Sequence, residues 1–155
     1  MSFFKLCFFR YIAYICQITY IAENHKEGMN VKTRMQLEYI IKCSPKVLYN
    51  RLSNAAGLAE WFAENVTVKG KIYTFTWEGV EQQAEKTLHK ENQLVRFSWV
   101  DDDDDDSYFE FRITQDELTG DVSLIVIDFA EENETEGIKN LWDTQIADLK
   151  HILGS

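Results

Sequence analysis

The last stretch of the chain, NETEGIKNLWDTQIADLKHILG at residues 133–154, decides the architecture. Asn133 is a good helix N-cap, and Glu136 stands three positions on, the spacing of a capping box. Glu134 adds negative charge at the positive end of the helix dipole. Ile138, Leu141, Trp142, Gln145, Ile146, Leu149, Ile152 and Leu153 then keep the helical period for about four turns. That apolar face is wider than one surface stripe needs, so a neighbouring layer must curve around it. Gly154 supplies the stop signal.

The preceding hundred or so residues contain that layer. From Met35, the residues Leu37, Tyr39, Ile41 and Cys43 alternate with Gln36, Glu38 and Lys42, the period of a half-buried strand. Ser44 and Pro45 end it and start a helix, as N-cap and first helical residue, with Val47, Leu48 and Leu52 expected on its buried face. Asn54 is read as the cap of a second short helix, in which Leu58, Trp61 and Phe62 fall at the spacing of a buried stripe. Strands follow at Val66–Val68, Ile72–Trp77, Val80–Lys90 and Leu94–Val100, with turns marked by Gly70, Gly79 and Asn92. A further strand carries Phe109, Phe111 and Ile113 alternating with Glu110 and Arg112. After the Thr119-Gly120-Asp121 turn comes Val122–Phe129, whose nearly continuous apolar run predicts a strand covered on both faces or lying at the sheet centre. The expected fold is α+β: a curved antiparallel sheet of about six to seven strands around a long C-terminal helix, with two short helices after the first strand.

Size and charge narrow the function. A chain of 155 residues with one proline, Pro45, reads as a single core without a Pro-rich linker. Its 26 acidic against 16 basic side chains give a net charge of −10, so phosphate backbones are repelled and nucleic acid is not an expected partner. Cys7, Cys16 and Cys43 are odd in number and lack C-x-x-C spacing, which fits a reducing, cytoplasmic setting better than a disulfide framework or a zinc site.

Residues 1–28 are set apart from the domain at 29–155. The run FFKLCFFRYIAYICQITYIA, Phe3 to Ala22, is long enough to span a bilayer but carries Lys5 and Arg10. The residues after it, Glu23-Asn24-His25-Lys26, offer no small-x-small cleavage site. The preferred reading is an artefact of start-site assignment, with translation beginning at Met29 or Met35. A membrane anchor and a signal or ordered extension are the alternatives, and a membrane is a partner only if these residues act as an anchor.

Three segments carry a family likeness: Ser44-Pro45-Lys46-Val47-Leu48-Tyr49 leading to Leu58-Ala59-Glu60-Trp61-Phe62, then Leu94-Val95-Arg96-Phe97-Ser98-Trp99, then Leu141-Trp142 with Leu149. Together, over about Met35 to Leu153, the chain resembles the START-like, helix-grip (SRPBCC) superfamily. Within it, the chain is similar to homologues of the C-terminal domain of the heat-shock chaperone ATPase activator, the AHSA-type group. The resemblance implies a cavity between the long helix and the sheet, used across the superfamily for lipids, hormones, polyketides and other apolar molecules. The chain departs from the common pattern in the aspartate run 101–106, where a short hairpin is usual, and in the lack of proline or glycine after Phe62-Ala63-Glu64.

The candidate site follows from the pattern. Trp61, Tyr73, Phe75, Trp77, Phe97, Trp99, Phe109, Phe111 and Trp142 form an aromatic set that can line a ligand pocket or simply fill the core. Gln82, Lys86 and Gln145 are polar residues that the pattern points inward, where each lacking a partner costs about 1–3 kcal/mol, so a ligand or water is expected to supply one. The ligand-binding set is therefore Trp61, Tyr73, Phe75, Trp77, Gln82, Phe97, Trp99, Phe111, Trp142 and Gln145.

No metal or cofactor is expected. The aspartate run lacks the central glycine and terminal glutamate of a calcium loop, and His25, His89 and His151 have no metal-ligand spacing. An acid–base role for His89, beside Lys90 and Glu91 near a strand end, is the minority reading of that residue. The expected function is non-enzymatic binding of a small hydrophobic or amphipathic ligand. A chaperone-activator-like protein-interaction module is the alternative, and a cyclase- or dehydratase-like enzyme a further one.

Overall fold

In the computed structural model, described for residues 31–101 and 107–155, the alternating segments pair into one seven-stranded antiparallel sheet. The expected extension at 1–28 and most of the aspartate run lie outside the described residues. The elements are β1 (Thr33–Ile41), α1 (Pro45–Ser53), α2 (Ala55–Leu58), β2 (Asn65–Lys69), β3 (Ile72–Trp77), β4 (Val80–Lys90), β5 (Leu94–Trp99), β6 (Phe109–Gln115), β7 (Val122–Ala130) and α3 (Thr135–Leu153). The order across the sheet is β1-β7-β6-β5-β4-β3-β2, so the long β7–β1 pairing closes one side and β2 forms the other edge. Among the described residues, no helix is long and apolar enough to cross a membrane.

The caps of the two short helices are those read from sequence. Ser44 Oγ accepts from the Val47 N–H at 3.3 Å with Pro45 opening α1, and Asn54 Oδ1 accepts from the Gly57 N–H at 2.8 Å. Gly57 is where α1 and α2 meet. A Cβ there would stand 2.1 Å from the Asn50 carbonyl oxygen and 2.7 Å from Arg51 Cα, so only glycine permits this approach. Trp61 Nε1–H donates to the Arg51 carbonyl at 2.8 Å, and Arg51 pairs with Glu60 at 2.6 Å, which fixes the corner.

Four expectations change. The second helix is a single turn, and Trp61 and Phe62 stand in the turns after it, although both are buried with Leu58 as the stripe required. Val47 is exposed, because it lies about 100° around α1 from Leu48. The final helix is not capped by Asn133: it follows Glu134, whose backbone is already helical and whose side chain makes no cap bond. The turn from Glu131 to Glu134 winds directly into the helix, and Thr135 Oγ1 is engaged with the Glu131 and Glu132 carbonyls. Finally, β7 is second from an edge, and β5 is the central strand. Val122, Leu124 and Val126 are buried on the inner face of β7, while on its outer face only Ile127 is fully covered.

Helix α3 crosses the inner face of the sheet with Ile138, Leu141, Trp142, Gln145, Ile146 and Leu149 buried. Its apolar face fades at the last turn, where Ile152 is exposed. Two bonds tie it to β1 and the residue that follows: Tyr39 O–H donates to Asp143 Oδ1 at 2.8 Å, and the Lys42 N–H donates to Ser155 Oγ at 2.7 Å.

Candidate functional site

The inner face of the sheet is an aromatic layer because the strand period places Tyr73, Phe75 and Trp77 of β3, Phe97 and Trp99 of β5, and Phe109 and Phe111 of β6 on one side. Phe62 descends onto this layer from the turn after α2. Its ring centroid lies 5.1 Å from Phe75, 5.6 Å from Trp77, 5.7 Å from Phe109 and 6.1 Å from Trp142 of α3. Phe97 stacks on Phe109 at 5.1 Å, and Trp99 lies 4.9 Å from Phe109. The rings touch one another across the space between α3 and the sheet.

The polar edges of the buried tyrosine and tryptophan rings have partners, as burial demands. Trp77 Nε1–H donates to the Phe62 carbonyl and Trp142 Nε1–H to Asp128 Oδ2, both at 2.8 Å. Tyr73 O–H donates to the Ser53 carbonyl at 3.0 Å. One atom is left over. Gln145, on the buried face of α3 beside Trp142 and Leu149, is 4% exposed, and its Oε1 has no hydrogen-bond partner among the described residues.

The sequence-selected residues thus converge, with gradations. Trp61, Tyr73, Phe75, Trp77, Phe97, Phe111, Trp142 and Gln145 are buried, and Trp99 is half-buried. Gln82 is half-buried on β4, opposite Phe75. Lys86, also half-buried on β4, reaches the Ser53 carbonyl and lies 4.7 Å from the centroid of the Tyr73 ring. His89 is exposed near the end of β4.

Sequence reading missed Phe62 as the centre of the aromatic contacts, although its helical-stripe position marked it as buried. It also missed the outer face. Glu110, which alternates with the aromatic residues of its strand, is fully buried, with Arg96 Nε and Nη2 both 2.7 Å from its Oε2 and Arg112 Nη2 2.7 Å from its Oε1. The Arg96 guanidinium also lies 3.8 Å above the Tyr108 ring. Elsewhere on that face an open hollow of about 480 Å³ is lined by polar groups including Glu38, Thr114, Asp116 and Ser123.

Residues 29–155 match the START-like superfamily domain. The chain belongs to the START-like superfamily. Among solved structures of this START-like fold, a Bacteroides fragilis protein is 34% identical with a TM-score of 0.59, over 78% of this chain and 90% of its own. The Aha1 dimer from Colwellia psychrerythraea is 17% identical with a TM-score of 0.67, over 78% and 96%. A Mesorhizobium loti protein is 17% identical with a TM-score of 0.65, over 79% and 97%. At 17% identity, the last two establish likeness of fold. No curated protein matches this START-like chain significantly.

Proposed function

We propose that this START-like domain binds a small amphipathic molecule between α3 and the aromatic face of the sheet, without chemistry. Its apolar body would lie against the aromatic set named above, and a hydroxyl or amino group would donate to Gln145 Oε1. The observation that carries this reading is the unpartnered Gln145 oxygen. A buried amide acceptor without a donor costs about 1–3 kcal/mol, whereas an apolar residue of similar volume would cost nothing of that kind. A ligand entering here displaces ring-to-ring contacts, which its own apolar surface replaces, while the indole and phenol hydrogen bonds can stay in place.

The test uses the full chain, with melting temperature and tryptophan fluorescence followed as dodecanol or methyl dodecanoate is added. Dodecanol should raise the melting temperature of the native protein, and Gln145→Met should weaken dodecanol by about tenfold while sparing the ester, which has no donor. If neither molecule nor a wider set of apolar ligands shifts the melting temperature, the reading is wrong. A protein partner of the chaperone-activator kind then becomes the alternative to pursue.

A further inference from the structure

We propose that Lys86 receives the anionic end of this ligand, so that the class bound is a carboxylate-bearing amphipath. The inference rests on the binding function proposed above and names its chemistry. Lys86 stands on the inner side of β4, in register with Phe97, immediately before the irregularity that shifts the β4–β5 pairing between Lys86 and Leu88. Bulges of this sort re-aim the side chains beside them. The ammonium is directed between the end of α1 and the ring of Tyr73.

Its direct contacts are uncharged. The charged partners of Arg51, Arg96, Arg112 and Lys139 are all carboxylates. Lys86 instead meets the Ser53 carbonyl and an aromatic face, and no carboxylate of the described residues lies within ion-pair distance of it. In a chain with 26 acidic side chains, that is an unusual place to leave a half-buried cation. One role is already accounted for, because Ser53 is the last residue of α1 and a cation there meets the negative end of the helix dipole. That role does not need a lysine, since the Tyr73 hydroxyl already donates to the same carbonyl. An ammonium has three N–H donors; one is used on Ser53 and another faces the Tyr73 ring. A carboxylate arriving along the aromatic layer would take up the third and neutralise the charge.

The experiment compares dodecanoate with methyl dodecanoate, which share an apolar body, on the full chain by calorimetric titration. The native protein should bind dodecanoate at least about tenfold more tightly than the ester. Lys86→Met should abolish that preference without weakening the ester, and Lys86→Arg should retain part of it. Lys86→Gln, which keeps an N–H for Ser53 while removing the charge, serves if Lys86→Met fails to fold and should likewise lose the preference. If the native protein binds both molecules equally, or if the Gln and Met variants melt lower yet keep the preference, Lys86 is only a cap for α1. The inference then fails while the binding function stands. If neither molecule binds the native protein while dodecanol does, the inference alone fails; if dodecanol and the wider set of apolar ligands also fail, both fall together.

Discussion

The indole N–H of Trp77 donates to the main-chain carbonyl of Phe62 at 2.8 Å, with both residues buried. Strand β3 thereby fixes the residue whose ring meets Phe75, Phe109 and Trp142, and so fixes the junction of sheet, short helices and α3. Trp77→Phe keeps a ring but leaves that carbonyl without its indole donor. It should cost about 1–3 kcal/mol for the hydrogen bond, plus a share for lost volume. Phe62→Ala removes the ring itself and should cost about 3–5 kcal/mol. Equilibrium denaturation of both variants checks the ranking, which is wrong if Trp77→Phe proves neutral.

Two glycines that look alike in sequence should respond in opposite directions. At Gly57 a Cβ meets the Asn50 carbonyl oxygen at 2.1 Å, and the obstacle is backbone that cannot rotate away. Gly57→Ala should destabilise by about 1–3 kcal/mol or more as α1 and α2 are forced apart. At Gly137, in the first turns of α3, nothing lies within 4 Å of the added atom. Gly137→Ala should stabilise by about 0.5–1 kcal/mol through helix propensity. Paired urea melts test this, and loss of the sign difference would mean that the α1–α2 approach is not as close as described.

Much of this was legible in the chain because period and punctuation are local. The alternation from Ile72 to Trp77, the Ser44 and Asn54 caps and the helical face of α3 each depend on a few neighbours, and they stand where the sequence places them. What was not legible depends on partners distant in sequence. Glu110 alternates like a solvent-facing residue, and only strand register brings Arg96 and Ile127 opposite it. The start of α3 eluded the capping-box reading because the turn at Glu131 competes for the same backbone groups. In the candidate site, the aromatic and inward polar residues could be named from pattern. Which polar atom would lack a partner could not, since that is settled by where Asp128, Ser53 and Phe62 place their oxygens.

Glu110 is the outer-face residue whose removal should matter most. Its carboxylate takes hydrogen bonds from both Arg96 and Arg112 while fully buried, so Glu110→Ala leaves two guanidinium groups facing each other without their anion. The guanidinium groups left behind are 29% and 45% exposed and can be solvated, so the cost should fall below the ~3–5 kcal/mol of stranding a fully buried charge. Arg112→Ala, at a side chain 45% exposed, should cost far less, because solvent already screens it. A double-mutant cycle on Glu110 and Arg96 measures the coupling, and near-additive losses would show that the pair does not act as a unit.

Two acids of α3, Glu134 at its start and Asp143 near its middle, should pull the pH profile in opposite directions. Burial alone would raise the Asp143 carboxyl, but the hydrogen bonds from Lys139 and Tyr39, with the Lys139 charge, outweigh it and hold Asp143 below its ordinary value of 3.8. The folded state thus favours the ionised form. Its contribution is present above pH 3.8 and is lost as pH falls toward the folded value. Burial, aided by the negative charge of Glu131, pushes Glu134 above its ordinary 4.5. The folded state there disfavours ionisation, so stability is diminished above that range and recovered on acidification. Asp143→Asn should flatten acid denaturation, and Glu134→Gln should raise the melting temperature at neutral pH while changing little near pH 4. Melts across pH 3–7 test both signs.

Gln145 offers the sharpest separation of stability from binding. Its Oε1 is buried without a donor, so the ligand-free protein carries a desolvation cost that methionine, of similar length and without an amide, does not. Gln145→Met should therefore make the empty protein more stable by about 1–3 kcal/mol, in the direction opposite to most core substitutions. The same change removes the acceptor on which a ligand hydroxyl would rest, so the gain in stability should come with weaker dodecanol binding. Loss of stability in the empty variant would show that the amide is held by contacts other than hydrogen bonds and supports the core as it stands. Higher stability with unchanged dodecanol affinity would place the ligand away from Gln145, while higher stability with weakened binding is the result expected if this glutamine is kept for its ligand.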